Sequence, residues 1–197
     1  FASTERNGLD FDIYVRDLET GEQRRVFEGQ YAWYPQSVSP DGRWLLMIQR
    51  VGEDSDNLFL VDLERAEAKA LSQPKRRANH ANGGFAWLPD ASGFFFATND
   101  GREFAALVRH DLKSGRRTLV AEAPFDIENV RLCGPGGRYL LWTTNEDGFH
   151  RLQGRDLETS RPLAVPALPE GVYSVSCPLG SPTAAITVNG WATPGDL

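Results

Sequence analysis

Four segments of this chain share one design: YVRDLETGEQRRVF (14–27), FLVDLERAEAKALS (59–72), LVRHDLKSGRRTLV (107–120) and LQGRDLETSRPLAV (152–165). Each carries Asp-Leu at the same place, at Asp17, Asp62, Asp111 and Asp156, spaced by 45, 49 and 45 residues. A steady period of this size marks stacked supersecondary units, none of which can bury its hydrophobic face alone. A second motif runs in phase with the first: VSPDGRWLLMIQ (38–49), WLPDASGFFFAT (87–98), LCGPGGRYLLWTT (132–144) and a degraded SCPLGSPTAAITV (176–188). Each is an apolar stretch, a turn rich in Pro, Asp and Gly, and another apolar stretch. Pro presets φ, Asp accepts local backbone hydrogen bonds and Gly tolerates positive φ, so these are tight reversals between antiparallel strands.

Each repeat therefore supplies four strands. Those after the Pro turns, at 44–48, 94–97 and 139–142, are apolar on successive residues and need cover on both faces. The third strands, such as 57–63, are largely apolar, and the fourth carry charge, as at 22–27. Burial that fades outward across four strands is what sheets stacked face to face around an axis produce. Period-two patterning and the density of turn residues exclude a helical solenoid.

The expected fold is all-β, a β-propeller of four-stranded antiparallel blades in a single domain over 1–197. It divides into a partial blade at 1–28, blades at about 31–72, 84–120 and 128–165, and a partial blade at 172–197. Residues 1–3 read as the tail of a second strand, 12–27 as a third and fourth, and 172–192 as a first and second. Two readings of these roughly four blade equivalents follow. The halves join into a composite blade that closes a small ring, or the chain is an arc of a larger propeller. The arc is preferred, because tight closure at four blades demands more uniform repeats. Unpaired blade edges would invite homo-oligomers through strand pairing.

Composition narrows the partners. With 41% hydrophobic and 24% charged residues the chain is ordinary globular protein. No run approaches the roughly 18 to 20 apolar residues of a membrane helix, and no basic segment precedes an apolar run at the start, so neither membrane insertion nor a secretion signal is expected. The 27 acidic and 21 basic residues leave a net charge of -6. A phosphate backbone would be repelled, so nucleic acid is not an expected partner.

The repeated aspartates are the tempting carboxylates, but each precedes a turn of the Glu-Thr-Gly type, where a side-chain oxygen caps backbone N–H groups. His80, His110 and His150 are the only imidazoles, none at metal-ligand spacing, and each is expected in a surface loop. Lys75-Arg76-Arg77 reads as a solvated connector, and the oxygen-rich residues 53–57 lack the spacing and Gly of a calcium loop. No Gly-x-Ser-x-Gly elbow, P-loop or dinucleotide fingerprint occurs. The expected catalytic, cofactor-binding and metal residues are none. Cys133 and Cys177 lie near matching points of adjacent repeats but are offset by one residue relative to the turn proline. On strands that offset aims side chains to opposite faces, so reduced thiols rather than a disulfide are expected. Loops at 50–57, 73–84, 99–104 and 145–150 share one rim, which is the expected working face.

The alternation of Ser-Pro-Asp-Gly-Arg (39–43) with Asp-Leu-Glu-Thr-Gly (17–21), together with Asn-Asp-Gly-Arg-Glu-Phe (99–104) and Asn-Glu-Asp-Gly (145–148), resembles the N-terminal propeller of prolyl oligopeptidase family serine peptidases. The bacterial acylaminoacyl-peptidase and dipeptidyl-peptidase-like branch is the nearest in pattern, over nearly the whole chain. The same repeats are similar, more loosely, to the TolB propeller. The peptidase resemblance implies a propeller, often seven-bladed, that caps a C-terminal α/β-hydrolase domain holding a Ser, Asp and His triad. None of those three has a counterpart here, so no catalytic residue carries over. The implied role is a gate that admits short, flexible peptides to a hydrolase domain outside this chain, with no cofactor and a cytoplasmic setting. The TolB-like alternative implies an autonomous protein-binding scaffold and a periplasmic setting.

Overall fold

The computed structural model describes residues 1–71 and 80–191. Its strands are β1 (Ala2–Ser3), β2 (Asp12–Arg16), β3 (Gln23–Phe27), β4 (Trp33–Val38), β5 (Trp44–Gly52), β6 (Ser55–Asp62), β7 (Glu67–Ala70) and β8 (Asn82–Trp87). They continue with β9 (Gly93–Thr98), β10 (Ala106–Asp111), β11 (Arg117–Ala121), β12 (Asp126–Cys133), β13 (Tyr139–Glu146), β14 (Phe149–Asp156), β15 (Val172–Ser176) and β16 (Ala185–Asn189). A single 3-10 turn at Pro135–Gly137 is the one helical element among the described residues. The strands form five antiparallel meanders: β1-β2-β3, β4-β5-β6-β7, β8-β9-β10-β11, β12-β13-β14 and β15-β16. These are propeller blades, two of them complete. The chain divides into two compact units, Phe1–Asn82 and Gly83–Leu197.

The hydrophobic pattern explains the layering. Every residue of β9 is buried, and so is the run from Leu45 to Ile48 in β5, whereas β7 is largely exposed and β11 holds no buried residue. In the first unit Ile13, Val26, Trp33, Leu45, Met47, Val61 and Leu63 pack sheet β1-β2-β3 against sheet β4-β5-β6-β7. In the second, Phe95, Leu107, Ile127, Val130 and Leu140 belong to the core between sheets β8 to β11 and β12 to β14. Burying one such side chain stabilises by about 1.5–3 kcal/mol.

The third repeat departs from four strands. After β14 the chain makes one bridge, Arg155 to Pro162, reinforced by the Leu163 N–H donating to the Gly154 carbonyl at 2.9 Å, and then leaves the sheet. Arg155 and Pro162 sit between the Asp156–Arg161 and Gly154–Leu163 hydrogen bonds, so the missing N–H of proline faces away from β14. Proline is tolerated in that position and blunts the sheet edge.

Candidate functional site

All four repeated aspartates cap their turns. Asp17 Oδ1 accepts the N–H groups of Glu19 and Thr20, Asp62 Oδ1 those of Glu64 and Arg65, and Asp156 Oδ1 those of Glu158 and Thr159. Asp111 accepts both the backbone N–H and the hydroxyl of Ser114. Two of them also receive the arginine of the other repeated motif: Arg43 donates to Asp62 Oδ2 at 3.1 Å, and Arg138 Nε to Asp156 Oδ2 at 3.0 Å. The two signatures are therefore two sides of one contact. The Arg138 guanidinium outweighs burial and holds the Asp156 carboxyl down at about 2, helped by the Thr159 and Glu158 N–H groups. Burial pushes Asp62 up, but the Arg65 N–H and Arg43 overcome it and its value lies below the usual one.

The opposite end of the blades carries the turns between second and third strands and the linkers between blades. The loops at 50–57 and 145–150 are mostly strand, with only Glu53-Asp54 and Asp147-Gly148 outside it. Asp147 and Gly148 have φ of 53° and 90°, both positive, as a tight two-residue hairpin turn requires. Lys75-Arg76-Arg77 and most of 73–84 lie outside the described residues.

The residue six before each repeated Asp makes a backbone hydrogen bond to the segment that follows its sheet, as donor in three cases and as acceptor in the fourth. The Phe11 N–H donates to the Tyr31 carbonyl, Asp56 to His80, and His150 to Gly171, while the Ala105 carbonyl accepts from Ile127. Side-chain acceptors reinforce the ties. Asp10 accepts the Tyr31 N–H at 2.7 Å, Asp126 the Ala105 N–H at 2.7 Å, and Asp56 both the backbone and side-chain amides of Asn82. Burial raises the Asp56 carboxyl above its usual value, against the pull of the Asn82 hydrogen bonds. Asp12 has no exposed surface; Arg6 is the main cause of its lowered value, burial opposes it, and the Gly29 N–H and Arg25 add to the lowering.

The three histidines are not in surface loops. His80, His110 and His150 are 3%, 4% and 4% exposed. His110 shares a face of β10 with Val108, since side chains alternate along a strand, and its ring lies 5.2 Å from that of Phe94. His150 Nδ1 accepts the Tyr173 N–H at 2.9 Å, which assigns the proton of the neutral ring to Nε2, 3.2 Å from Glu128 Oε2. It joins sheet β12-β13-β14 to sheet β15-β16.

The cysteine expectation is overturned. Cys133 and Cys177 form a disulfide with a Cα–Cα distance of 5.4 Å. The one-residue offset does aim the two side chains in opposite directions, and that is what brings them together. When sheets stack face to face, a side chain leaving the front of one meets a side chain leaving the back of the next. Opposite directions are therefore what a bridge between adjacent sheets requires. Cys133 accordingly packs with Leu141 and Val175, and Cys177 lies against the same cluster, in phase with Tyr173 and Val175 on β15.

Beside the disulfide a cleft of about 430 Å³ opens between the last two sheets, lined by Cys133, Tyr139, Leu141, Leu152, Leu163 and Ile186 among others. Sequence reasoning missed it, because it forms where the fourth strand of the third repeat peels away. Leu163 and Val165, in that strand's place, were the available signal. Among the described residues no cluster of three or more His, Cys, Asp or Glu side chains is arranged to hold a metal ion, and no helix is long and apolar enough to cross a membrane.

No protein-family model matches the sequence, and no curated protein matches it. Solved structures do. The chain is similar to TolB from Acinetobacter baumannii at 14% identity and TM-score 0.62, over 93% of this chain and 47% of that one. It is similar to a prolyl endopeptidase, described in work on inter-domain dynamics in catalysis and specificity, at 20% identity and TM-score 0.71, over 98% of this chain and 29% of that one. A putative TolB from Agrobacterium tumefaciens matches at 13% identity and TM-score 0.53, over 92% of this chain and 78% of that one. The chain thus spans about half of the first of these structures and less than a third of the second. At such identities the likeness establishes the fold, and at that level both resemblances drawn from the repeats hold.

Proposed function

We propose that this chain is a non-catalytic propeller segment of a prolyl oligopeptidase-like serine peptidase, gating the access of short peptides to a hydrolase domain outside these residues. The observation that carries the reading is the match over 98% of this chain to 29% of a prolyl endopeptidase, the highest TM-score of the three comparisons, 0.71. The absence of a nucleophile elbow from the 197 residues supports it, because the chemistry must then be supplied elsewhere. In the parent protein a complete circle of blades would exclude folded proteins by size while a flexible peptide passes. Reading the parent gene beyond these residues tests this: further blades followed by a Gly-x-Ser-x-Gly segment are expected, and a stop codon directly after Leu197 would remove the proposal.

The second reading is an autonomous TolB-like scaffold whose partners are proteins. Its specific support is the pair of TolB matches, one covering 78% of its counterpart. The Cys133–Cys177 bond also favours an oxidising compartment, the periplasm rather than the cytoplasm. Recovery of the intact parent protein from a periplasmic extract, together with a frame that ends without a hydrolase segment, is the result this reading requires.

A further inference from the structure

In three of the four repeats the residue four before the repeated Asp is joined, on its outward side, to a fourth strand. Ile13 pairs with Phe27, the Leu58 carbonyl accepts the Leu71 N–H at 2.9 Å, and Leu107 pairs with Ala121. Leu152 holds that place on β14. Along an antiparallel strand the backbone groups of alternate residues turn to opposite neighbours. The His150 N–H donates outward to Gly171 and the Gly154 carbonyl accepts outward from Leu163. The N–H and carbonyl of Leu152, midway between them, therefore also face away from β13, and no hydrogen bond from a described residue meets either group.

The two flanking bonds bound a slot. They stand four residues apart on β14, about 13 Å of extended strand, but eight apart on the facing segment, from Leu163 to Gly171. Residues 164–170 thus have twice the length they need and make no backbone bond to β14. A cavity of about 250 Å³ has Arg151 and Leu152 of β14 in its wall, with Val165, Pro166 and Leu168 of the facing segment. Leu152, Val165 and Pro166 also line the apolar cleft of about 430 Å³ beside the disulfide. Spaces of this size hold small ligands.

We propose that this slot binds a short extended peptide, about three residues long, which lies antiparallel to β14 and stands in for the missing fourth strand. The backbone of Leu152 sets the occupant's conformation: the residue facing it supplies both an acceptor and a donor, so it is extended and is not proline. The sister repeats set its side chain, since Phe27, Leu71 and Ala121 hold that place and all three are apolar. In a paired strand that side chain shares the face of Leu152, which packs against Cys133, Leu141 and Val175, and so it enters the cleft. An acid follows in two of the sisters, at Glu28 and Glu122, and in antiparallel register it would face Arg151. The carboxylates already near Arg151 are distant, Glu146 at 3.5 Å and Glu170 at 4.0 Å, which leaves its charge open to a closer one. A second copy of the chain is not the occupant, because the facing segment is bonded to β14 at both ends of the slot and a whole sheet cannot pass beneath it. The inference rests on the slot alone, so a stop codon after Leu197 would remove the gating proposal and leave this one standing.

The test titrates the full chain, labelled with nitrogen-15, with acetyl-Val-Phe-Glu-amide, the sequence of residues 26–28. Saturable shifts centred on the amides of 150–154 are expected, and at saturation exchange of the Leu152 amide slows by roughly tenfold or more. The analogue N-methylated at Phe keeps the side chain and loses the donor, and its affinity is expected to fall by roughly tenfold or more. Arg151→Gln is expected to weaken binding of this peptide and to leave that of acetyl-Val-Phe-Gln-amide unchanged. No saturation by about 10 mM peptide would overturn the proposal. So would an N-methylated analogue that binds as well, a Leu152 amide as protected without peptide as with it, or equal weakening of both peptides by Arg151→Gln.

Discussion

Two buried aspartates on opposite ends of the same strand, β6, respond to pH in opposite senses. Asp62 is held below its usual value by the Arg65 N–H and Arg43, against burial, so its contribution is present above about 3.8 and fades as pH falls. Asp156 behaves likewise, with its loss running from about 3.8 down towards about 2 as the carboxylate facing Arg138 takes up its proton. Asp56 is the reverse: burial raises its folded value, so its contribution is full below 3.8 and is lost as pH rises through that raised value. Thermal unfolding of two variants checks the sign. Asp62→Asn is expected to lower Tm by several degrees at pH 7, with the difference shrinking in acid. Asp56→Asn, which keeps an acceptor for Asn82 and sheds the charge, is expected to leave Tm at pH 7 unchanged or higher. A drop for Asp56→Asn as large as that for Asp62→Asn would show that the buried charge is needed.

At the scale of single strands, burial is dense in the second strands β5, β9 and β13. Phe94 and Phe96 in β9 have no exposed surface, and Phe96 stacks on Phe85 with ring centroids 6.1 Å apart. Phe96→Ala is expected to cost about 3–5 kcal/mol, since the void cannot be filled by the β-strand backbone around it. Urea unfolding measures it, and a cost below about 1 kcal/mol would mean that the sheets collapse onto the gap. Gly93 begins the same strand for a different reason. A Cβ there would stand 2.2 Å from the backbone carbonyl oxygen of His110, so Gly93→Ala is expected to disrupt the β9 and β10 pairing, seen as lost amide protection at 106–111. The outer strands carry no comparable penalty: Leu119 in β11 is 44% exposed, and polar substitution there should change little.

For the chain as a whole, the testable properties are charge and chemistry. A net charge of -6 predicts retention on an anion exchanger and passage through heparin at physiological salt; retention on heparin would reveal a basic surface that the total conceals. Incubation with short proline-containing peptides is expected to give no turnover and no labelling by a serine-directed inhibitor, because the sequence holds no Gly-x-Ser-x-Gly segment to present a nucleophile. Turnover that the inhibitor abolishes would contradict the gating proposal directly.

How much of this could be seen in the linear chain depends on the range of the interaction. The blade repeat, the turn-capping role of Asp17, Asp62, Asp111 and Asp156, and the inner-to-outer decline in burial are consequences of local spacing, and the order of residues determines them. His110 could have been placed by period two, because it alternates with Val108; nothing near His150 announces that its partners are Glu128 and Tyr173, which are 22 and 23 residues away. The cleft beside Leu163 exists because the chain makes a single bridge at Pro162 and then leaves the sheet. The disulfide is the sharpest case. Its one-residue offset is plain in the sequence, but whether two strands that point their side chains oppositely can meet depends on which face each sheet turns to the next, and that is settled only when the sheets stack.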